Sequence, residues 1–158
     1  MIRKKILLLG DFNVGKTSLI RRYVDNAFDD SYLTTIGVKI SKKRLLLEEE
    51  TYELLIWDIE GATPQKSIPQ SYYRGACGAI FVADVTREDT LDGIQDHITY
   101  FEEINPNVAY VVAFNKSDLL TEEEQNSLSS KNDIFFTSAK NNTNVEILFT
   151  TLTKKMIR

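Results

Sequence analysis

Gly10-Asp11-Phe12-Asn13-Val14-Gly15-Lys16-Thr17 follows the apolar run Lys5 to Leu9 and precedes Lys16 to Asp25, a segment patterned as an amphipathic helix. The octet satisfies G-x-x-x-x-G-K-[ST] in the setting that gives the motif its meaning, a strand before it and a helix after it. Its glycines let backbone N–H groups turn inward around phosphate oxygens, and the following helix presents its positive N-terminal end to the same anion. Lys16 is then placed to bridge outer phosphates, where charge develops during phosphoryl transfer, and the Thr17 hydroxyl to ligate Mg²⁺. Asn13, Val14, Gly15, Lys16, Thr17 and Ser18 are the candidate phosphate-binding residues.

Outward from this loop, strand-length apolar runs alternate with amphipathic segments, the pattern of a parallel sheet flanked by helices. Strands are expected at Lys5 to Leu9, Lys39 to Leu47, Tyr52 to Asp58, Ala79 to Asp84, Ala109 to Asn115 and Ile134 to Thr137. Only Glu48-Glu49-Glu50 separates the second run from the third, too little for a crossover helix, so those two pair as an antiparallel hairpin with a solvated acidic turn. Helices are expected at Lys16 to Asp25, around Gln65 to Tyr73, and at Leu91 to Ile104, Glu122 to Ser129 and Asn144 to Ile157. Thr121 with Glu124 forms a capping box, and Asn105-Pro106-Asn107 stops the preceding helix. The expected fold is α/β, a six-stranded, mostly parallel sheet with one antiparallel edge strand and about five helices on its two faces.

With 158 residues, the chain has the length of one domain, spanning 1–158, and can build a packed core without disulfides. A content of 42% hydrophobic and 27% charged residues is that of a globular protein, without linker, repeat or low-complexity segment. No stretch reaches the ~20 apolar residues of a bilayer-spanning helix. The net charge of −4 argues against general nucleic-acid binding. The single cysteine, Cys77, excludes an internal disulfide and fits a reducing, cytoplasmic compartment, while the single histidine, His97, has no companions at ligand spacing and reads as structural.

Other strand ends extend the site. Open α/β sheets bind ligands beyond the carboxyl ends of their strands, and Asp58, directly after Leu54-Leu55-Ile56-Trp57, is placed to hold a Mg²⁺-bound water. The Gly61 N–H, three residues on, is expected to reach a γ-phosphate. Asn115-Lys116-Ser117-Asp118 follows another strand, and the Asp118 carboxylate can accept hydrogen bonds from guanine's ring N–H and exocyclic amine, a donor pair adenine lacks. Thr137-Ser138-Ala139-Lys140 follows the last strand, where a backbone N–H can meet the guanine carbonyl, with Lys116 and Lys140 along the faces of the base.

These boxes, in this order, resemble a Ras-superfamily small GTPase, most closely the Rab branch, over essentially the whole chain. Tyr32-Leu33-Thr34-Thr35-Ile36-Gly37-Val38 resembles switch I, which implies Tyr32 at the nucleotide and Thr35 in the Mg²⁺ shell when the γ-phosphate is present. Phe28 matches the aromatic that packs on guanine. Ser71-Tyr72-Tyr73-Arg74-Gly75-Ala76 and Asn144-Val145-Glu146-Ile147-Leu148-Phe149 resemble Rab signatures. The resemblance implies a monomeric GTP/GDP switch with Mg²⁺ as cofactor. Its partners would be an effector, an exchange factor or an activating protein met through the switch loops. It would be cytoplasmic, reaching membranes through those partners.

The chain also departs from the family. Where the family reads W-D-T-A-G-Q-E, this sequence reads Trp57-Asp58-Ile59-Glu60-Gly61-Ala62-Thr63, so the water-orienting glutamine is Ala62. Alanine cannot hydrogen-bond water, and slow hydrolysis is expected. Three outcomes stay open for Glu60: repelling the γ-phosphate or intruding on the metal in the GDP state, replacing the glutamine as a catalytic group, or pointing to solvent. Phe12 stands where a small residue is usual, and Pro64 and Pro69 make the second switch unlike a Rab loop. The end, Lys154-Lys155-Met156-Ile157-Arg158, carries no cysteine, so no lipid anchor is expected on this chain. The competing reading is a non-hydrolysing binding module held in one nucleotide state. An ATPase or kinase is disfavoured by Asp118.

Overall fold

The computed structural model describes residues 1–28, 37–59, 68–128 and 134–157. Among them a six-stranded sheet runs in the order β2-β3-β1-β4-β5-β6. Its strands are β1 (Ile2–Leu9), β2 (Val38–Leu47), β3 (Glu50–Ile59), β4 (Gly78–Asp84), β5 (Ala109–Asn115) and β6 (Ile134–Phe136). Every pairing is parallel except that of β2 with β3. The mostly parallel sheet and its antiparallel edge are therefore as the sequence pattern requires.

Alternation along the strands divides the core between two faces. Ile6, Leu8, Ile56, Ile80, Val82 and Ala113 pack with Leu19, Ile20 and Tyr23 of α1 (Lys16–Asp25) and Leu148, Phe149 and Leu152 of α6 (Val145–Met156). The Tyr23 and Phe149 rings stack with centroids 4.0 Å apart and planes within 1° of parallel, tying α1 to α6. Leu7, Leu9, Ala79, Phe81 and Val112 point the other way, onto Tyr73 of α2 (Gln70–Tyr73) and onto Ile94, Ile98 and Phe101 of α4 (Ile94–Ile104).

Several boundaries differ from the sequence expectation for identifiable reasons. The hairpin turn is two residues, Glu48 and Glu49, at φ 51° and 68°, and Glu50 already pairs with Leu47. Paired positive φ values are the mirror-image turn that matches strand twist. β1 begins at Ile2 rather than Lys5, because Arg3 is held in register by Glu53, whose other oxygen takes Arg44 across the strand. Expected positions 65–67 of the second helix lie outside the described residues; the described part starts at Gln70. Ile68 and Pro69 precede it, and Pro69 is extended at ψ 136°. The helix expected from Leu91 begins earlier, as α3 (Glu88–Asp92), and breaks at Gly93 before α4. Of the remaining ends, Ser129 also falls outside the described residues, while α5 (Glu122–Leu128) carries the capping box in full. The Thr121 N–H donates to Glu124 Oε1 at 3.0 Å, and the Glu124 N–H to Thr121 Oγ1 at 3.2 Å.

This topology positions the site. Strand order reverses about β1, which has β3 on one side and β4 on the other, so their carboxyl ends face one crevice. Asp58, next to last in β3, is level with Leu8, and Asp84 pairs with Asn115 at the ends of β4 and β5.

Candidate nucleotide-binding site

The 10–15 loop turns from β1 into α1 where two glycines are sterically required. A Cβ on Gly10, at φ 154°, would lie 2.3 Å from the Val82 carbonyl oxygen; one on Gly15, at φ 103°, would lie 2.2 Å from Asn115 Nδ2. Asn13 is also left-handed, at φ 64°. The result is a loop whose carbonyls are each met by a side-chain donor. Lys16 Nζ donates to Gly10 O at 3.2 Å and Asp11 O at 3.0 Å. Arg87 Nη2 donates to Phe12 O at 2.7 Å, Lys116 Nζ to Asn13 O at 3.4 Å, and Asn115 Nδ2 to Val14 O at 3.0 Å. The Gly15 carbonyl takes the Leu19 N–H at 3.0 Å, the first turn of α1. A loop turning into a helix N-terminus in this way is an arrangement that suits an anion.

Lys16 is buried, and burial lowers its amine to about 8, while the Asp58 and Asp11 carboxylates pull the other way. Thr17 Oγ1 donates to Asp58 Oδ2 at 2.6 Å, joining α1 to the end of β3. A hydroxyl and a carboxylate converging beside the loop are hard oxygen donors of the kind Mg²⁺ takes, so this pair fits the metal. Ser18 is half-buried in the first turn of α1.

Of the remaining expected residues, those at the ends of β5 and β6 are hydrogen-bonded to one another. Lys116, left-handed at φ 65°, opens a short 3-10 turn, Ser117–Leu119, that carries Asp118. Asp118 Oδ1 accepts the Ser138 hydroxyl at 2.8 Å, and Ser138 Oγ accepts the Asn141 N–H at 3.0 Å. Thr137 Oγ1 donates to Asn115 Oδ1 at 3.1 Å, so Asn115 joins the phosphate loop to the 137–140 loop. Arg22 fixes that loop from α1, donating to Ala139 O at 2.7 Å and Lys140 O at 2.9 Å. Ala139 is buried, Lys140 is exposed, and Phe28 packs half-buried at the margin of the α1 core. Tyr32, Thr35, Glu60, Gly61 and Ala62 lie outside the described residues.

Sequence reasoning missed a second layer behind the loop. Lys116 Nζ is 2.8 Å from Asp84 Oδ2, so its head is anchored to a buried carboxylate. Arg87 Nε lies 3.5 Å from the same oxygen. His97 Nε2 meets Asp11 Oδ1 at 2.8 Å. Among the described residues, no group of three or more His, Cys, Asp or Glu is gathered to hold a metal, and no helix is long and apolar enough to cross a membrane.

Residues 5–158 match the model of the Ras family. The chain is 36% identical over 156 residues to the Ras-related protein Rab11C of Lotus japonicus, covering 94% of this chain and 72% of that protein. It is equally identical, over 163 residues, to the Ras-related protein Rab-1 of Theileria parva and to that of Theileria annulata, each alignment covering 96% of this chain and 73% of the relative.

Proposed function

The chain belongs to the Ras family and is close to its Rab members, and from that premise we propose a GTP/GDP switch, built as one domain, with slow GTP hydrolysis. Small GTPases of this family bind GTP or GDP with Mg²⁺ and act through effectors, exchange factors and activating proteins. The finer assignment rests on this chain's own residues.

One observation carries the nucleotide reading: each carbonyl from Gly10 to Val14 accepts a side-chain hydrogen bond. A loop held that way presents N–H groups to phosphate, and its ammonium, Lys16, stands at the helix start. Thr17 would ligate Mg²⁺ directly and Asp58 through water, with Thr35 completing the shell when the γ-phosphate is present. Bound there, the metal would neutralise charge that develops on the transferring phosphoryl group. Asp118, supported by Ser138, would select guanine, and Phe28 would pack on the base, with Asn115, Lys116, Ala139 and Lys140 completing its pocket.

Slow turnover follows from Ala62, which offers no group to orient the attacking water. Lys16, Thr35 and the Gly61 N–H would still stabilise the transferring phosphoryl group, so binding is kept and rate is reduced. Glu60 is the remaining residue with chemistry to offer a water. Calorimetric titration with GDP and ADP, with and without Mg²⁺, tests the binding half. Tight, Mg²⁺-dependent GDP binding with ADP at least about a hundredfold weaker is expected, the scale set by a base-reading carboxylate. Equal binding of the two would overturn the assignment of Asp118.

A further inference from the structure

We infer that Arg87 and His97 are positioning residues of the nucleotide site, a clamp from the α3–α4 side that holds the Asp11–Phe12 segment of the phosphate loop. The inference rests on the nucleotide reading above and extends it to two residues that no phosphate motif marks.

Arg87 stands 75 residues from Phe12 in the chain, yet its Nη2 donates to the Phe12 carbonyl at 2.7 Å. Its aim is set locally. Arg87 precedes α3, its Nε is 3.5 Å from Asp84 Oδ2, and its own carbonyl accepts the Thr90 hydroxyl at 2.7 Å. The guanidinium therefore lies between a buried carboxylate, with which Nε makes an ion pair but no hydrogen bond, and the loop backbone, to which Nη2 donates. His97, in the first turn of α4, reaches Asp11 Oδ1 at 2.8 Å. The other oxygen of Asp11 lies against Gly93, 3.6 Å from where a Cβ would stand, so the carboxylate sits over the start of α4. A longer side chain at 93 would crowd it. Asp11 and Phe12 are thus fixed from outside the loop, one through its side chain and the other through its peptide.

The consequence is directional. The Phe12 carbonyl belongs to the same peptide as the Asn13 N–H, so pulling the oxygen toward Arg87 turns that N–H toward the crevice. Removing the arginine frees this peptide to rotate, and the site loses one preorganised donor for phosphate. Neither Arg87 nor His97 touches the nucleotide in this account; both act through the loop.

Dissociation of N-methylanthraniloyl-GDP, chased with excess GDP in Mg²⁺ buffer, tests the clamp in the intact chain. Arg87→Ala is expected to release the probe about tenfold faster, the scale of one hydrogen bond from a charged donor. His97→Phe, which fills the same space without the bond, is expected to give about threefold, and Arg87→Lys to recover part of the loss. Unfolding midpoints measured without and with GDP separate positioning from simple stability. A clamp shrinks the gap between the two midpoints; a merely structural arginine lowers both equally and leaves release unchanged, which would overturn the inference. Off-rates within twofold of wild type in both variants would also overturn it. A wild-type protein that holds no GDP would instead sink the nucleotide reading and the clamp with it.

Discussion

The Lys116 ammonium is held 2.8 Å from the carboxylate of Asp84, a residue only 2% exposed at the end of β4. The pair couples the base-side loop to the neighbouring strand, and through the 3.4 Å bond from Lys116 to Asn13 O it reaches the phosphate loop.

Burial pushes the Asp84 carboxyl up, but hydrogen bonds from Lys116 and from the Thr86 hydroxyl and N–H together outweigh it and leave the group below the ordinary aspartate value. A depressed folded value means a stabilising contribution that is present above about pH 4 and lost as pH falls through the folded value. Asp84→Asn is therefore expected to lower stability at neutral pH and to flatten the acid limb below about pH 4. Urea unfolding at several pH values from 7 to 3 measures both. An acid limb as steep as that of wild type would remove Asp84 from the account.

Asp118→Ala removes the carboxylate that Ser138 supports. The expected effect is GDP affinity weaker by about ten- to a hundredfold, since a charged acceptor is lost from buried donors on the base. Stability without nucleotide should change little, because Asp118 is only half-buried. Calorimetry reads the first quantity and thermal unfolding the second. Undiminished GDP affinity would place the base elsewhere.

Lys16→Ala tests the phosphate side. The ammonium that donates to Gly10 O and Asp11 O disappears, so both the loop's own order and its charge toward phosphate are reduced. GDP retention should be lost through gel filtration, with a modest fall in stability of about 1–2 kcal/mol from the abandoned carbonyls. Retention equal to wild type would contradict the site.

Phe149→Ala tests the packing that seats α6 behind the 137–140 loop. The ring is fully buried and stacked on Tyr23. A loss of about 3–5 kcal/mol in urea unfolding is expected, as for other large buried side chains cut to alanine. A loss under about 1 kcal/mol would mean that the site collapses without a cavity.

How far the sequence could be read depended on whether a residue announces itself locally. The phosphate loop, Asp58 and Asp118 are legible because each stands at a strand end in a spaced motif whose chemistry is complete within a few residues. Asp84, Arg87 and the bond of His97 to Asp11 were not, because they acquire meaning only when β4, α3 and α4 are folded against the loop. Asp84 follows an apolar run as Asp58 does, but no motif around it names a partner. The break at Gly93 was hidden by apolar spacing that continues across it, and the two-residue turn by two glutamates in a conformation that favours glycine or asparagine.

Single-turnover hydrolysis of bound GTP, compared between wild type and Ala62→Gln, tests the central claim most directly. If the chain is a switch slowed by the missing water-orienting group, wild type turns over slowly and Ala62→Gln accelerates it by about ten- to a hundredfold, the range that misplacement of a reactant costs. A wild-type rate that Ala62→Gln leaves unchanged, and that Glu60→Ala abolishes, would contradict the claim and assign the water to Glu60.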